Sequence, residues 1–189
     1  MAAGASTRLG QPKQLLSWHE NNLLQQMIET AQQVVDGLLV VVLGANADQL
    51  KPVVDNTGAD IVYNAGWQEG IASSIRAGLT ALTRKEPGIG RVIFMACDQP
   101  FVSASLLSEL IAVQDQAGKK IVASRYADTT GIPAIFDKSI FPVLLELQGD
   151  TGAKKIIQQY EHEVETIPFP KGEIDIDTQR DYELLQSEN

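Results

Sequence analysis

Apolar positions in this chain fall into two textures. Four unbroken runs of strand length, "LLVVVLGA" (Leu38 to Ala45), "ADIVYN" (Ala59 to Asn64), "RVIFMAC" (Arg91 to Cys97) and "KKIVASR" (Lys119 to Arg125), are rich in β-branched residues. Lacking a polar alternation, they read as strands covered on both faces, as in a parallel sheet. Between them lie stretches with helical spacing: Gln14 to Val35, Ala47 to Val54, Ile71 to Thr83 and Ala104 to Ala117. Leu24, Met27, Ile28 and Ala31 form the apolar face of the first, and Ser103 is the expected N-cap of the last. Strands alternating with helices predict an α/β three-layer sandwich with a mostly parallel sheet and right-handed crossovers. The second half is less regular. There "IPAIFD" suggests a short strand, "PVLLEL" and "GAKKIIQQY" helices, "EVETIPF" another strand and "TQRDYELLQ" a closing helix. No repeat, low-complexity tract or linker interrupts the pattern, so one domain over residues 1–189 is expected.

Composition narrows the function classes. Hydrophobic residues make up 44% and charged residues 21% of the chain, the balance of a globular protein. A formal net charge of -9 disfavours general attraction to nucleic acid or to an anionic membrane, so any phosphate bound here needs local cations or a metal. The single cysteine, Cys97, leaves no internal disulfide and no Cys/His zinc spacing. With no run of membrane-span length and no secretion-signal pattern in these residues, the cytoplasm is the expected location. Cys97 reads as a small buried hydrophobe, because nothing near it in sequence would activate a thiolate. His19 and His162 lack a metal spacing and read as surface or packing residues. Trp18 and Trp67 read as core or pocket-wall aromatics.

The chain opens on "MAAGASTRLGQPKQLL". Small residues around Gly4 and Gly10 let backbone N–H groups approach an anion, and Arg8 and Lys13 add full positive charges, so the turn suits a nucleoside triphosphate. Neither the Gly-Lys-Ser/Thr of a Walker A loop nor the Gly-x-Gly-x-x-Gly of a dinucleotide fingerprint is present. Alone, the stretch reads equally as a glycine turn with two solvated cations; its company favours chemistry. "MACDQPF" sets Asp98 directly after a buried strand, where ligands bind in open α/β sheets, and a carboxylate there can hold Mg2+. Downstream, "GEIDIDT" places Asp175 and Asp177 before the last helix, on one face of an extended segment, where both can point at one ion. Taken singly, Asp177 would read as a helix cap, Asp175 as a surface charge and Asp98 as a turn residue.

In order, "AAGASTRLGQPKQLL", "GWQEGIASSIRAGL", "CDQP", "GIPAIFD", "LQGDTGAKKI" and "DIDT" resemble successive blocks of the MobA-like nucleotidyltransferase family, over nearly the whole chain. The family signature is written Leu-Ala-Ala/Gly-Gly, several residues, Arg-x-Gly, then Lys. The Ala-Ala-Gly form, Asp-Gln-Pro and Gly-Asp-x-Gly-Ala-Lys/Arg are most similar to the molybdenum cofactor cytidylyltransferase branch. The resemblance implies a Rossmann-like sandwich of the nucleotide-diphospho-sugar transferase type and Mg2+ as cofactor. It implies transfer of CMP from CTP to the terminal phosphate of molybdenum-molybdopterin, with release of pyrophosphate. Ala2, Ala3 and Gly4 would line the nucleobase side, Arg8 and Lys13 would contact the triphosphate, and Gly70, Ser73 and Ser74 would approach base and ribose. Asp98 would be the principal metal ligand, with Asp177 or Asp175 the second. Arg8, Lys13 and Asp98 are thus the expected catalytic groups, and Gly131 to Phe136 with Gly149 to Lys154 would border the second substrate. The implied protein partner is a molybdoenzyme or its maturation chaperone.

In the family a hydrophobic strand precedes the signature and ends at the position of Met1. The resemblance therefore predicts that this first strand is missing from residues 1–189, that both neighbouring strands carry open backbone edges, and that the native protein starts further upstream. A family member with a weakened nucleotide site is the alternative. Three other functions fit the same residues: use of GTP, transfer to a different phosphorylated acceptor, and a non-catalytic protein that holds nucleotide or cofactor for delivery. Metal-dependent turnover separates the last from the enzymes.

Overall fold

The structure is a computed structural model that describes residues 1–187. The long helix expected over Gln14 to Val35 is broken. Lys13–Leu15 makes a single 3-10 turn, and β1 (Ser17–Trp18) pairs antiparallel with β2 (Asn21–Asn22) before α1 (Leu23–Gln32) begins. His19 sits at φ 52°, reversing the chain between the two short strands. The Asn22 side chain then accepts from Gln25 N at 2.9 Å and caps α1, so polar residues in this segment take backbone partners that a helix would need.

From there the expected alternation appears: β3 (Val40–Leu43), α2 (Ala47–Asp55), β4 (Asp60–Tyr63), α3 (Ile71–Lys85), β5 (Arg91–Phe94), α4 (Ala104–Ala117) and β6 (Ile121–Tyr126). Ser103 caps α4 through a hydrogen bond from Leu106 N. β7 (Thr129–Asp137) follows, then α5 (Phe141–Leu145), α6 (Ala153–Gln159), β8 (Val164–Pro168) and α7 (Gln179–Ser187). β3 and β4 pair in parallel; the other group runs β5-β7-β6-β8, with β6 and β8 parallel and β7 antiparallel to both neighbours. The short strand expected at "IPAIFD" is thus a nine-residue strand at the centre of a mixed sheet. Its direction follows from the tight connection after Tyr126, where Ala127 sits at φ 44°: strands joined this closely must run antiparallel.

Period-two alternation sends side chains to two cores. Val41, Leu43, Val122 and Ile135 face α1 and α4 on one side, while Val92, Phe94, Ile121, Ala134 and Phe136 face α3, α5 and α6 on the other. Both faces being covered explains why the strands read as unbroken apolar runs, and each fully buried Phe or Ile contributes roughly 1.5–3 kcal/mol. A third small cluster joins Trp18, Leu16 and Leu23 to Ile176 and Leu185, tying the late segment and α7 beside the start of the chain.

Among the described residues β3 and β5 do not pair with each other. Only the start of the chain enters between them: Ala2 N donates to Val42 O at 2.9 Å, Ala2 bridges Leu43 in parallel, and the Met1 amine donates to Met95 O at 2.7 Å. Beyond Met1 an apolar slot of about 90 Å³ lies between Met27, Ile28, Val40 and Ile93. It widens into a hollow of about 460 Å³ lined by Leu39, Ile111 and Ile135. In hydrogen exchange, the amides of Val40 and Ile93, which point into this slot, will exchange about a hundredfold or more faster than those of Val122 and Ile135 in the paired interior. Equal protection of the two sets would mean that the slot is closed in solution.

Candidate active site

The carboxyl ends of β3 and β5 and the amino-terminal turn meet at one edge of the sheet. Gly44, directly after β3, lies so close to the turn that an added Cβ would sit 2.5 Å from Ala3 O and 2.8 Å from Trp67 Cβ. Only glycine fits there, and Ala45 N then donates to Ala3 O at 3.1 Å. The turn is held from inside by Gln14, which is fully buried. Its Nε2 donates to Ala2 O at 3.0 Å and Gly4 O at 3.2 Å. The Ser6 hydroxyl donates to Gln14 Oε1 at 3.4 Å and accepts from Lys13 N at 3.1 Å. Sequence reasoning singled out neither Gly44 nor Gln14; a glycine at a strand end and a glutamine beside the lysine were the available signals.

Lys13 is the centre of the arrangement. Its Nζ donates to Asp98 Oδ2 at 2.6 Å and to Asp177 Oδ1 at 2.9 Å, and Arg8 Nη2 reaches Asp177 Oδ2 at 2.6 Å. The Lys13 side chain is 13% exposed against 68% for Arg8, so Lys13 carries the partly buried pairing and Arg8 stays at the rim. Burial alone would lower the Lys13 pKa, but the charge of Asp98 and the hydrogen bonds to Asp98 and Asp177 outweigh it and hold the ammonium well above its ordinary range. The hydrogen bond from Lys13 is in turn the main cause that draws Asp177 below the usual carboxylate value.

Asp177 is free to do this because it does not cap α7. The Thr178 hydroxyl accepts from Asp181 N at 3.2 Å, and the Asp181 carboxylate accepts from Thr178 N at 2.8 Å and Asp177 N at 3.2 Å, a reciprocal capping box. Ile176 N donates to Asp98 O at 3.1 Å and pins the segment beside the end of β5. Asp175 lies close enough to feel both carboxylates but makes no ion pair among the described residues. Burial, then the negative charges of Asp98 and Asp177, push it up to about 6. Cys97 is buried, and its thiol is pushed up to about 11 by burial, in keeping with a packing role.

The opposite wall comes from the start of α3. Gly70 is at φ 118°, and an added Cβ would collide with Gly149 O and the Asp150 carboxylate, so α3 and the 149–150 turn can meet only through glycine. Ala72 N donates to Gly149 O at 3.1 Å. Buried Asn64 donates to the hydroxyls of Ser73 at 2.8 Å and Ser74 at 3.0 Å. Ser73 also donates to Gly70 O at 2.8 Å, which commits it to holding the helix start. The resulting cleft, about 360 Å³, is lined by Ala2, Ala3, Gly4, Lys13, Trp67, Gly70, Ser74, Asp98 and Asp150. Ser73, Arg8, Asp175 and Asp177 are not in its wall. Of the two late blocks, Asp150 reaches the cleft, whereas Ala134 to Phe136 are core.

Among the described residues no group of three or more His, Cys, Asp or Glu is gathered closely enough to hold a metal by itself. Asp98 and Asp177 do share one cation, the Lys13 ammonium, and two carboxylates completed by phosphate oxygens and water are the donor set that Mg2+ or Mn2+ takes.

Two expectations follow. Gln14→Leu removes the amide from the carbonyls of Ala2 and Gly4 and is expected to cost about 1–3 kcal/mol in chemical denaturation, whereas Gln26→Leu, at a half-buried position whose amide donates to Thr30 Oγ1 at 3.5 Å, costs less. In a carboxyl NMR titration Asp175 has its midpoint near 6; Asp98→Asn lowers it by removing a like charge, and Lys13→Ala raises it further by removing the opposing one.

The model of the MobA-like NTP transferase domain matches residues 1–164. Nicotine blue oxidoreductase of Paenarthrobacter nicotinovorans is 31% identical over 84% of this chain and 79% of its own length. A molybdenum cofactor guanylyltransferase of Xanthomonas euvesicatoria is 33% identical over 59% of this chain and 51% of its own. The crystal structure of Mycobacterium tuberculosis Rv0371c superposes with a TM-score of 0.84 at 33% identity, over 98% of this chain and 94% of that one. Rv0371c has also been solved in complex with manganese, with a TM-score of 0.80 at 30% identity, over 99% of this chain and 95% of that one. With most of its length matched by the family model, and with strands, turn and cleft in the arrangement described above, this chain belongs to the MobA-like NTP transferase family.

Proposed function

We propose that this protein transfers CMP from CTP to the terminal phosphate of molybdenum-molybdopterin, releasing pyrophosphate and forming the cytosine dinucleotide form of the cofactor. The observation that carries this reading is the meeting of the amino-terminal turn, Lys13, Asp98 and Asp177 at one end of the sheet. The Xanthomonas relative, named a molybdenum cofactor guanylyltransferase, supports a molybdopterin acceptor and equally favours a second reading with GTP as donor.

In this reading an oxygen of the acceptor phosphate forms a bond to the α-phosphorus, the bond from that phosphorus to the bridging oxygen breaks, and its electron pair leaves on pyrophosphate. A phosphate monoester is already largely ionised near neutral pH, so no dedicated base is needed. The protein aligns anions that repel one another and neutralises the charge moving onto the leaving group. Asp98 and Asp177 would hold a divalent ion, which would supply part of that neutralisation; the manganese complex of Rv0371c supports divalent binding. Freed from the carboxylates, the Lys13 ammonium would turn to the phosphates, with Arg8 at the rim. Ala2, Ala3, Gly4, Gly70 and Ser74 would take base and ribose, Ser73 would hold Ser74's neighbourhood in place, and Asp175 would stay a neighbour of the metal site rather than a ligand.

The test is turnover of each nucleoside triphosphate with molybdenum-molybdopterin and Mg2+ or Mn2+, following pyrophosphate. CTP is expected to turn over only with both metal and acceptor present; turnover of GTP alone would establish the second reading, and release with neither nucleotide would refute both. Asp98→Ala is expected to abolish turnover with the fold intact, and Lys13→Ala to lower it by about a hundredfold or more, the scale of losing a transition-state donor. Near wild-type rates in either variant would contradict the assignment.

A further inference from the structure

We propose that Glu69 and Arg76, neither of which lines the cleft, are positioning residues for nucleotide binding: together they clasp the 147–150 turn onto the start of α3 and so fix Asp150 in the cleft wall. The inference rests on the reading of that cleft as the nucleotide site.

The clasp is a planar fork extended by two backbone contacts. Arg76 Nη1 donates to Glu69 Oε1 at 2.9 Å, and Arg76 Nη2 donates to Glu69 Oε2 at 2.6 Å. The same Nη1 also donates to Leu147 O, while Glu69 Oε1 accepts from Gly149 N at 3.4 Å. Glu69 ends the 3-10 turn Trp67–Glu69 and Arg76 lies within α3, so the pair spans the helix start. With Ala72 N donating to Gly149 O at 3.1 Å, the turn is held at Leu147 O, Gly149 N and Gly149 O.

The turn needs this hold. Leu147 is buried on one side of it and Ala153 on the other, but the residues between them are exposed or half-buried. Gly149 at φ 61° meets Gly70 at φ 118°, so two glycines carry the backbone freedom where the walls join. The Asp150 carboxylate lies against Gly70, on the wall opposite Lys13 and Asp98. A carboxylate there accepts from hydroxyl and amino groups and repels phosphate, so the clasp serves the nucleoside end of the ligand. The Arg76 and Glu69 side chains are 29% and 41% exposed, so their pairing contributes little to global stability and acts on local placement. Its polarity is fixed as well: Gly149 N requires an acceptor at position 69, and Leu147 O a donor at position 76.

The test is calorimetry on the full chain with Mg2+ and CTP, GTP or inorganic pyrophosphate, with hydrogen exchange and melting of the same samples. Arg76→Ala, and the reversed pair Glu69→Arg with Arg76→Glu, are expected to weaken binding of the nucleotide that the wild type takes by about tenfold. Pyrophosphate affinity stays within about twofold and the melting temperature within about 3 °C, while the Gly149 and Ala72 amides exchange faster in both variants. Lys85→Ala, which breaks the ion pair with Asp60 at the far end of α3, changes none of these. Wild-type nucleotide affinity in the reversed pair, an equal loss for pyrophosphate, or a loss without faster exchange at Gly149 would overturn the proposal. A wild type that takes neither nucleotide would bring down the reading of the cleft and the clasp with it. Variants that match a nucleotide-binding wild type would remove the clasp alone.

Discussion

One ammonium holds three distant parts of the chain together: Lys13 lies 85 residues from Asp98 and 164 from Asp177, yet bonds both. The two carboxylates end different segments and carry like charges, so without a cation between them they would separate or protonate. Removing one member leaves the others uncompensated, at a cost well below the roughly 3–5 kcal/mol of a fully buried pair, because the Asp177 side chain is 38% exposed and water screens it. In the function we propose, the cation would be exchangeable in kind: a lysine that holds these two carboxylates together would keep them ready for a divalent ion and could then turn to a phosphate.

Much of this was legible in sequence. Asp98 follows an unbroken apolar strand, and its position at a carboxyl end comes from the two-sided burial that makes such strands uniform; α4 with its Ser103 cap was readable for the same local reasons. The helix expected from Gln14 failed where local polar residues prevailed, since Asn22 and the turn at His19 stop a periodicity that is real only from Leu23 onward. The antiparallel course of β7 was invisible because its apolar run looks the same in either direction.

At the site, the charged residues and Gly70 were named from the sequence, whereas the supports Gln14 and Gly44 were not. Gln14 bonds backbone carbonyls, and Gly44 and Gly70 are required by atoms of Ala3, Trp67 and Gly149, none of which is a neighbour in sequence. Ser73 and Ser74 looked equivalent, but a helix start puts one under Gly70 O and the other on the cleft wall. Asp177 resembled a cap until Thr178 and Asp181 proved to do that work between themselves. Ala2 and Ala3 tie the turn to the end of β3 through Val42 O and Ala45 N, beside the bonds from Gln14.

The most direct measurement is anomalous diffraction from a crystal of the protein with Mn2+ and a non-hydrolysable cytidine triphosphate analogue. The account predicts a manganese peak bonded to Asp98 and Asp177, with Lys13 Nζ moved from the carboxylates to the phosphates. Manganese bound elsewhere, or a triphosphate seated away from the amino-terminal turn, would contradict it.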